Sequence, residues 1–284
     1  MLIEGQIIRK VKLAPRIKEI ELYAPHIADN VKAGQFVILL ADKNGERVPI
    51  TVTDWNKDFG TITLVFQEVG VSTFKLGSLN VGDTLTYITG PLGNPSEIGH
   101  FGTVACVGGG VGTPAIYPVA REMKKQGNYV ITIIGARSKE LLIYEDKIRR
   151  VSDEVRITTD DGSKGKKGLV TDELRELITS GINVNRVIAV GPVMMMKALA
   201  EVTKDLKIKT IASLNPIMVC GMGMCGSCRV EVGGETRFVC IEGPEFDAHQ
   251  VNFDILFLRL NAYRAEEQTA LKRYMKMWRL ANAE

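Results

Sequence analysis

The chain reads as a small antiparallel β barrel, then a parallel-sheet α/β unit, then a compact C-terminal unit with a helical tail. Three observations carry this expectation. Short β-branched or alternating runs bounded by Gly, Pro, Asn or Asp fill residues 1–98. Strands alternating with helix-length segments fill residues 99–213. Four of the five cysteines fall between Cys220 and Cys240, inside residues 214–284.

Composition narrows the functions on offer. A hydrophobic content of 45% is ordinary for a packed protein and excludes disorder over most of the chain. A formal charge of +3 with 6% aromatics leaves no electrostatic footprint for nucleic acid. No run of about 18 apolar residues is present, so no membrane partner is expected. The start Met1-Leu2-Ile3-Glu4-Gly5 lacks the basic and apolar pattern of a signal peptide, so the expected location is cytoplasmic. An odd, clustered cysteine count is unlike a secreted disulfide scaffold.

In the first region the strands are Gln6–Val11, Ile17–Leu22, Gln35–Leu40 and Thr61–Phe66. Arg47, Pro49 and Thr51 would share one face of a further strand, because side chains alternate. A guanidinium there suits a phosphate; the plainer reading is a surface arginine on an edge strand. Gly70-Val71-Ser72-Thr73 is either a second phosphate contact or a turn. Gly90 to Pro95 then punctuates the chain.

The α/β region opens with Thr103–Val107, and Val107 leads into Gly108, Gly109, Gly110, Val111, Gly112, Thr113 and Pro114. Glycines at a first strand-to-helix turn let backbone approach a pyrophosphate, and the helix N-terminus adds donors and dipole. The helix runs toward Gly127. Val130–Ile134 precedes a helix near 139–150, and Val155–Thr158 precedes one near 170–179. Val187–Val190 precedes another that starts at Pro192. Cys106 lies inside an apolar strand and reads as a small buried hydrophobe.

Cys220, Cys225, Cys228 and Cys240 follow an x4, x2, x11 spacing, which is the plant-type pattern for a 2Fe–2S cluster. Structural zinc is the alternative, but it prefers two separated Cys-x2-4-Cys pairs and only one is present. Gly221, Gly223 and Gly226 allow the tight loop such a centre needs. A hairpin is expected through Gly233-Gly234.

Taken in order, Arg47-x-Pro49-x-Thr51, the loop from Gly108 to Pro114, Gly191-Pro192-x-Met194-Met195 and the cysteine loop resemble the ferredoxin–NADP reductase superfamily. The resemblance extends along essentially the whole chain. It is to the branch with a C-terminal cluster, which includes dihydroorotate dehydrogenase electron-transfer subunits and the small subunits of sulfide dehydrogenase, or NADH-dependent ferredoxin:NADP oxidoreductase. It implies FAD on the barrel, with Arg47 on the pyrophosphate, Thr51 near flavin N5 as the catalytic residue, and Gly70, Ser72 and Thr73 on the second phosphate segment. It places a nicotinamide dinucleotide at Gly108–Pro114, with Asp160, Asp161, Gly191 and Pro192 toward its far side. Pro49 stands where plant-type reductases carry an aromatic. NAD(H) is the implied nucleotide; Arg137-Ser138 leaves NADP(H) open.

Two features favour the sulfide-dehydrogenase type. They are the 44 residues after Cys240 and Val190, where dihydroorotate-type subunits carry cysteine. Cys220 departs from it, since many such subunits have aspartate there. The implied role is electron transfer to a larger flavin and iron–sulfur subunit, and through that complex to ferredoxin, with electron bifurcation on the partner. A flavin-based redox-sensing protein is the reading from another class. In the tail, Leu271, Tyr274, Met275 and Trp278 form one helical stripe. They would fold back onto the cluster region or dock to the larger subunit, as would the apolar stretch of Leu256, Leu258 and Leu260.

Overall fold

The computed structural model describes residues 2–281. Its first sheet is built from β1 (Gln6–Ala14), β2 (Ile17–Tyr23), β3 (Phe36–Leu40), β4 (Val48–Asn56), β5 (Thr61–Gln67) and β6 (Tyr87–Leu92). Helices α1 (Pro25–Asn30) and α2 (Val71–Ser78) interrupt them. The strands pair antiparallel in the order β1-β2-β5-β4-β3-β6, and a bridge from Gln6 to Thr84 brings the ends together into a barrel. Alternation puts Ile7, Ile20, Leu22, Val37, Ile62 and Leu64 inside, all 0% exposed. Each such side chain contributes roughly 1.5–3 kcal/mol through burial.

The second sheet collects β7 (Thr103–Gly109), β8 (Tyr129–Ala136), β9 (Glu154–Thr159), β10 (Lys166–Lys167), β11 (Arg186–Val190) and β12 (Lys209–Ser213). They run parallel in the order β10-β9-β8-β7-β11-β12. The helices are α3 (Gly112–Lys125), α4 (Glu145–Arg149), α5 (Val170–Thr179) and α6 (Val193–Lys204). Near-continuous apolar strands follow from burial on both faces. Cys106 is fully buried in β7, and burial pushes its thiol up to about 12. Two helices differ from the sequence expectation. Residues 139–150 form a short 3-10 turn and then α4, entered through Tyr144 at φ 64. Pro192 is the N-cap of α6 rather than its first residue.

The C-terminal region holds β13 (Arg229–Val232), β14 (Glu235–Phe238), α7 (Val239–Glu242), β15 (Glu245–Asp247), α8 (Phe253–Leu260) and α9 (Arg264–Ala281). β13 and β14 form the hairpin through Gly233-Gly234. β15 does not stay with them; it pairs antiparallel with β12 and becomes the last strand of the second sheet. α8 packs on α6 and β13 with Phe253 and Leu256 buried, whereas Leu258 is exposed. α8 thus folds back onto the cluster region, whereas α9 lies against α2, so this part of the tail returns to the barrel. Its stripe residues Leu271, Tyr274 and Met275 are half-buried there.

Barrel and α/β unit are joined by polar contacts. Glu19 on β2 accepts from Arg9 (2.5 Å), from Lys147 (3.2 Å) and from the Tyr144 hydroxyl. Arg121 on α3 reaches Asp54 on β4 at 2.6 Å and lies over the Trp55 ring, 4.6 Å from its centroid. No described helix is long and apolar enough to cross a membrane.

Candidate functional site

In an open α/β sheet, ligands bind outside the carboxyl ends of the strands, where the strand order reverses. Here that point lies between β7 and β11, and a cleft of about 900 Å³ opens there against the barrel. The loop Gly109–Gly112 forms its floor. Gly112 must be glycine: a Cβ there would sit 2.1 Å from the Val190 carbonyl oxygen, so α3 packs directly on the end of β11. Gly110 donates to Gly135 O at 2.9 Å and accepts from Thr113 N at 3.1 Å, which fixes the loop. The N-terminus of the fourteen-residue α3 therefore faces the cleft, an arrangement suited to an anionic phosphate.

Val190, Gly191 and Pro192 line the cleft beside this loop, and Arg137 and Asp160 line it at the ends of β8 and β9. Asp161 is turned to its own turn instead. Its Oδ1 accepts from Ser163 Oγ (2.6 Å) and N (2.9 Å), which holds the carboxyl below its ordinary range. Gly108, Thr113 and Pro114 are buried behind the loop.

On the barrel side, Pro49, Thr51 and Thr73 line the cleft. Arg47 lies just before β4, its guanidinium 5.4 Å from the Tyr87 ring centroid, beyond the cleft lining. β4 is not an edge strand; it lies between β5 and β3, so the edge reading of Arg47 is corrected. The Thr73 hydroxyl is already engaged. It accepts from Val69 N (3.0 Å) and Gly70 N (3.1 Å) and donates to Gly70 O (3.0 Å). Thr73 thus shapes the start of α2, where Gly70 is the N-cap and Ser72 sits in the first turn. The far end of α2 is held by cations. Lys10 and Lys18 both donate to Gly77 O at 2.7 Å, complementing the helix dipole.

The cysteines form two neighbouring pairs. Cys228 and Cys240 are buried with sulfurs 3.2 Å apart, while Cys225 N donates to Cys220 Sγ at 3.4 Å. Gly223, at φ 75, turns its N–H onto Cys240 Sγ (3.1 Å), and Met222 N donates to Cys220 Sγ (3.5 Å). Backbone N–H groups aimed at sulfurs stabilise thiolates and tune a cluster. Ser227 Oγ, 3.0 Å from Cys225 Sγ, holds that thiol down at about 6, while burial pushes Cys240 up to about 12. Among the described residues no three His, Cys, Asp or Glu form the ligand set of a single metal ion. Three thiols on the glycine loop and a fourth from Cys240 in α7 make a donor set suited to a two-iron centre.

Cleft and cysteine loop are joined by the segment after Cys240. Pro244 lines the cleft, and Asn94 holds the segment twice, N to Gly243 O at 2.7 Å and Nδ2 to Ile241 O at 3.0 Å. Ser96 Oγ adds a 2.5 Å bond to Glu245, whose buried carboxyl is raised by desolvation. Asn94 and Ser96 carry no local motif, and Ser227 shows in the sequence only as a residue between two of the cysteines. Only the Gly90–Pro95 punctuation pointed to the neighbourhood of Asn94.

Comparison with known proteins places these features. Residues 215–252 match the iron-sulfur cluster binding domain of dihydroorotate dehydrogenase B. A Thermotoga maritima protein described as a dihydroorotate dehydrogenase B (NAD(+)) electron transfer subunit homolog is 41% identical over 272 residues, 96% of each chain. The corresponding Geobacillus subunit is 33% identical over 255 residues, covering 86% of this chain and 96% of its own. Among solved structures, a chain from the NADH-dependent reduced ferredoxin-NADP oxidoreductase, reported for flavin-based electron bifurcation, superposes with TM-score 0.92. It is 40% identical and the match covers 97% of this chain and 99% of that one. An Amycolatopsis cytochrome P450 reductase at 20% identity and TM-score 0.61 shares the fold, over 72% of this chain and 66% of its own.

Proposed function

The chain belongs to the family of dihydroorotate dehydrogenase B-type electron-transfer subunits within the ferredoxin–NADP reductase superfamily, and from that premise we propose the ferredoxin:NADP oxidoreductase role. In this reading the chain is the NAD(H)-linked FAD and 2Fe–2S subunit of a larger bifurcating complex. When bound, FAD supplies the exchange between a hydride's electron pair and single electrons, and the cluster supplies a one-electron outlet.

The chain's own residues would divide the work. The Gly109–Gly112 loop and the N-terminus of α3 would hold the nucleotide pyrophosphate, with Gly191 and Pro192 beside the nicotinamide half. Thr51 would orient the flavin ring from β4, and the start of α2 would meet its phosphates. Arg47, displaced onto Tyr87, would reach the flavin only at the cleft's rim. Cys220, Cys225, Cys228 and Cys240 would ligate the cluster, and Pro244 would form the wall between the two centres. Met222 and Met224, 60% and 81% exposed next to exposed Cys225, leave an apolar rim for a larger partner subunit.

The observation that supports the finer reading is the whole-chain superposition on the oxidoreductase chain, at TM-score 0.92 and 40% identity. That match covers 97% of this sequence and 99% of the other chain, whereas the match to the Geobacillus subunit leaves 14% of this sequence uncovered. Val190 lining the cleft, in place of the cysteine of dihydroorotate-type subunits, points the same way. The test is anaerobic purification with the native partner. A partner carrying flavin and iron–sulfur centres that couples NADPH oxidation to ferredoxin and NAD+ reduction is expected. A partner that oxidises dihydroorotate would overturn the assignment. Flavin bleaching by NADH over minutes, instead of within seconds, would favour a sensor over a catalyst.

A further inference from the structure

Two consecutive carbonyls in the cysteine loop, between Cys225 and Cys228, are each held by a guanidinium. Arg229, on β13, donates Nη1 to Gly226 O at 3.0 Å. Arg259, on α8, donates Nη2 to Ser227 O at 3.1 Å. Arg229 is exposed, whereas Arg259 is half-buried beneath the loop. The Ser227 hydroxyl in turn lies 3.0 Å from Cys225 Sγ, so Arg259 grips the residue that touches one sulfur and precedes another. Arg259 also lies outside the matched cluster-binding domain, which ends at residue 252; it is supplied by the C-terminal extension.

We propose that Arg259, with Arg229, is a potential-setting residue pair for the cluster, through which the C-terminal extension raises the midpoint of the centre it covers. The proposal rests on the four cysteines being the ligands of a 2Fe–2S cluster. One-electron reduction adds negative charge to an already anionic centre. A permanent cation held one peptide away therefore favours the reduced form, and the half-buried one is screened less. Guanidinium stays charged at any accessible pH, so the bias is constant. A hydrogen-bonded carbonyl also turns less of its negative end toward the sulfurs. The extension thus acts on the electron outlet directly, in addition to any role in docking.

The test is potentiometric titration of the full chain under anaerobic conditions, following the EPR signal of the reduced cluster and, separately, flavin absorbance. Iron, sulfide and the EPR signal are first measured on the unaltered protein; their absence would refute the ligand assignment itself. Arg259→Gln is expected to shift the one-electron equilibrium about threefold or more toward the oxidised cluster, with the flavin midpoint unmoved. Arg259→Lys keeps the charge and is expected to hold the midpoint near that of the unaltered protein. An unmoved midpoint in Arg259→Gln would overturn the proposal. Equal shifts in the Gln and Lys variants would also overturn it, because they would trace the effect to bracing and not to charge. If Arg259→Gln loses its cluster, Arg229→Gln carries the test: a smaller negative shift that fades with added salt supports the proposal, and none refutes it.

Discussion

Gly112 is the residue on which the nucleotide side turns. A single methyl group at this position would meet backbone 2.1 Å away, and backbone cannot rotate aside as a side chain can. Gly112→Ala is therefore expected to raise the KM for NADH tenfold or more and to lower Tm, read by steady-state kinetics and thermal unfolding. A variant with unchanged KM would show that the loop does not meet the nucleotide. Cys225 answers a different question. It is exposed and is not among the residues that line the cleft, so Cys225→Ala should abolish the iron–sulfur absorption while FAD stays bound at full stoichiometry. Joint loss of iron and flavin would mean the two centres are not independently held. Both residues were legible in the sequence because their roles are local: a turn and a short ligand spacing. Arg47 was legible as a motif member, yet its placement over Tyr87 depends on a strand forty residues downstream.

At the scale of elements, β2 and α4 are joined through Glu19. Its side chain is only 4% exposed. Burial alone would raise its carboxyl, but the Tyr144 hydroxyl, Arg9 and Lys147 outweigh that and hold it below its ordinary range. A carboxyl depressed in the folded state contributes stability that is complete above its unfolded value, about 4.3, and is lost as pH falls through the folded one. Glu19→Gln should thus cost about 1–3 kcal/mol at pH 7, and the difference from the unaltered protein should narrow below about pH 4. Urea unfolding at both pH values checks this; a pH-independent difference would refute the ionic account. None of this is legible in the sequence. The strands were recognisable from period-two alternation and the helices from their spacing, but Glu19 and Tyr144 meet across 125 residues of chain. Residues 139–150 read as one helix in the sequence, but the left-handed backbone at Tyr144, a bulky residue that seldom adopts it, splits the segment.

For the molecule as a whole, the tail divides into two parts with different duties. α8 buries Phe253 and Leu256 and sends Arg259 to the cysteine loop, while α9 rests on α2 of the barrel. A chain ending before Arg264 should keep its iron and sulfide content. One ending before Phe253 should lose at least half, measured by metal and sulfide analysis after anaerobic desalting. Equal retention by both would mean α8 does not support the loop. The tail's helical stripe was plain in the sequence, but its destination was not, since an amphipathic face does not name what it covers.

β15 gives the molecule an order of assembly. The strand that completes the nucleotide sheet is made of residues 245–247, after the last cysteine, so β12 has an open edge while the intervening chain is still being synthesised. At about 5–20 residues per second, the 34 residues from Ser213 to Asp247 take roughly 2–7 s to emerge. In that interval the barrel is free to close, while the half-built sheet presents unpaired N–H and C=O groups. The four thiols are therefore all synthesised while the edge of β12 is still unpaired, and the sheet is completed only after them.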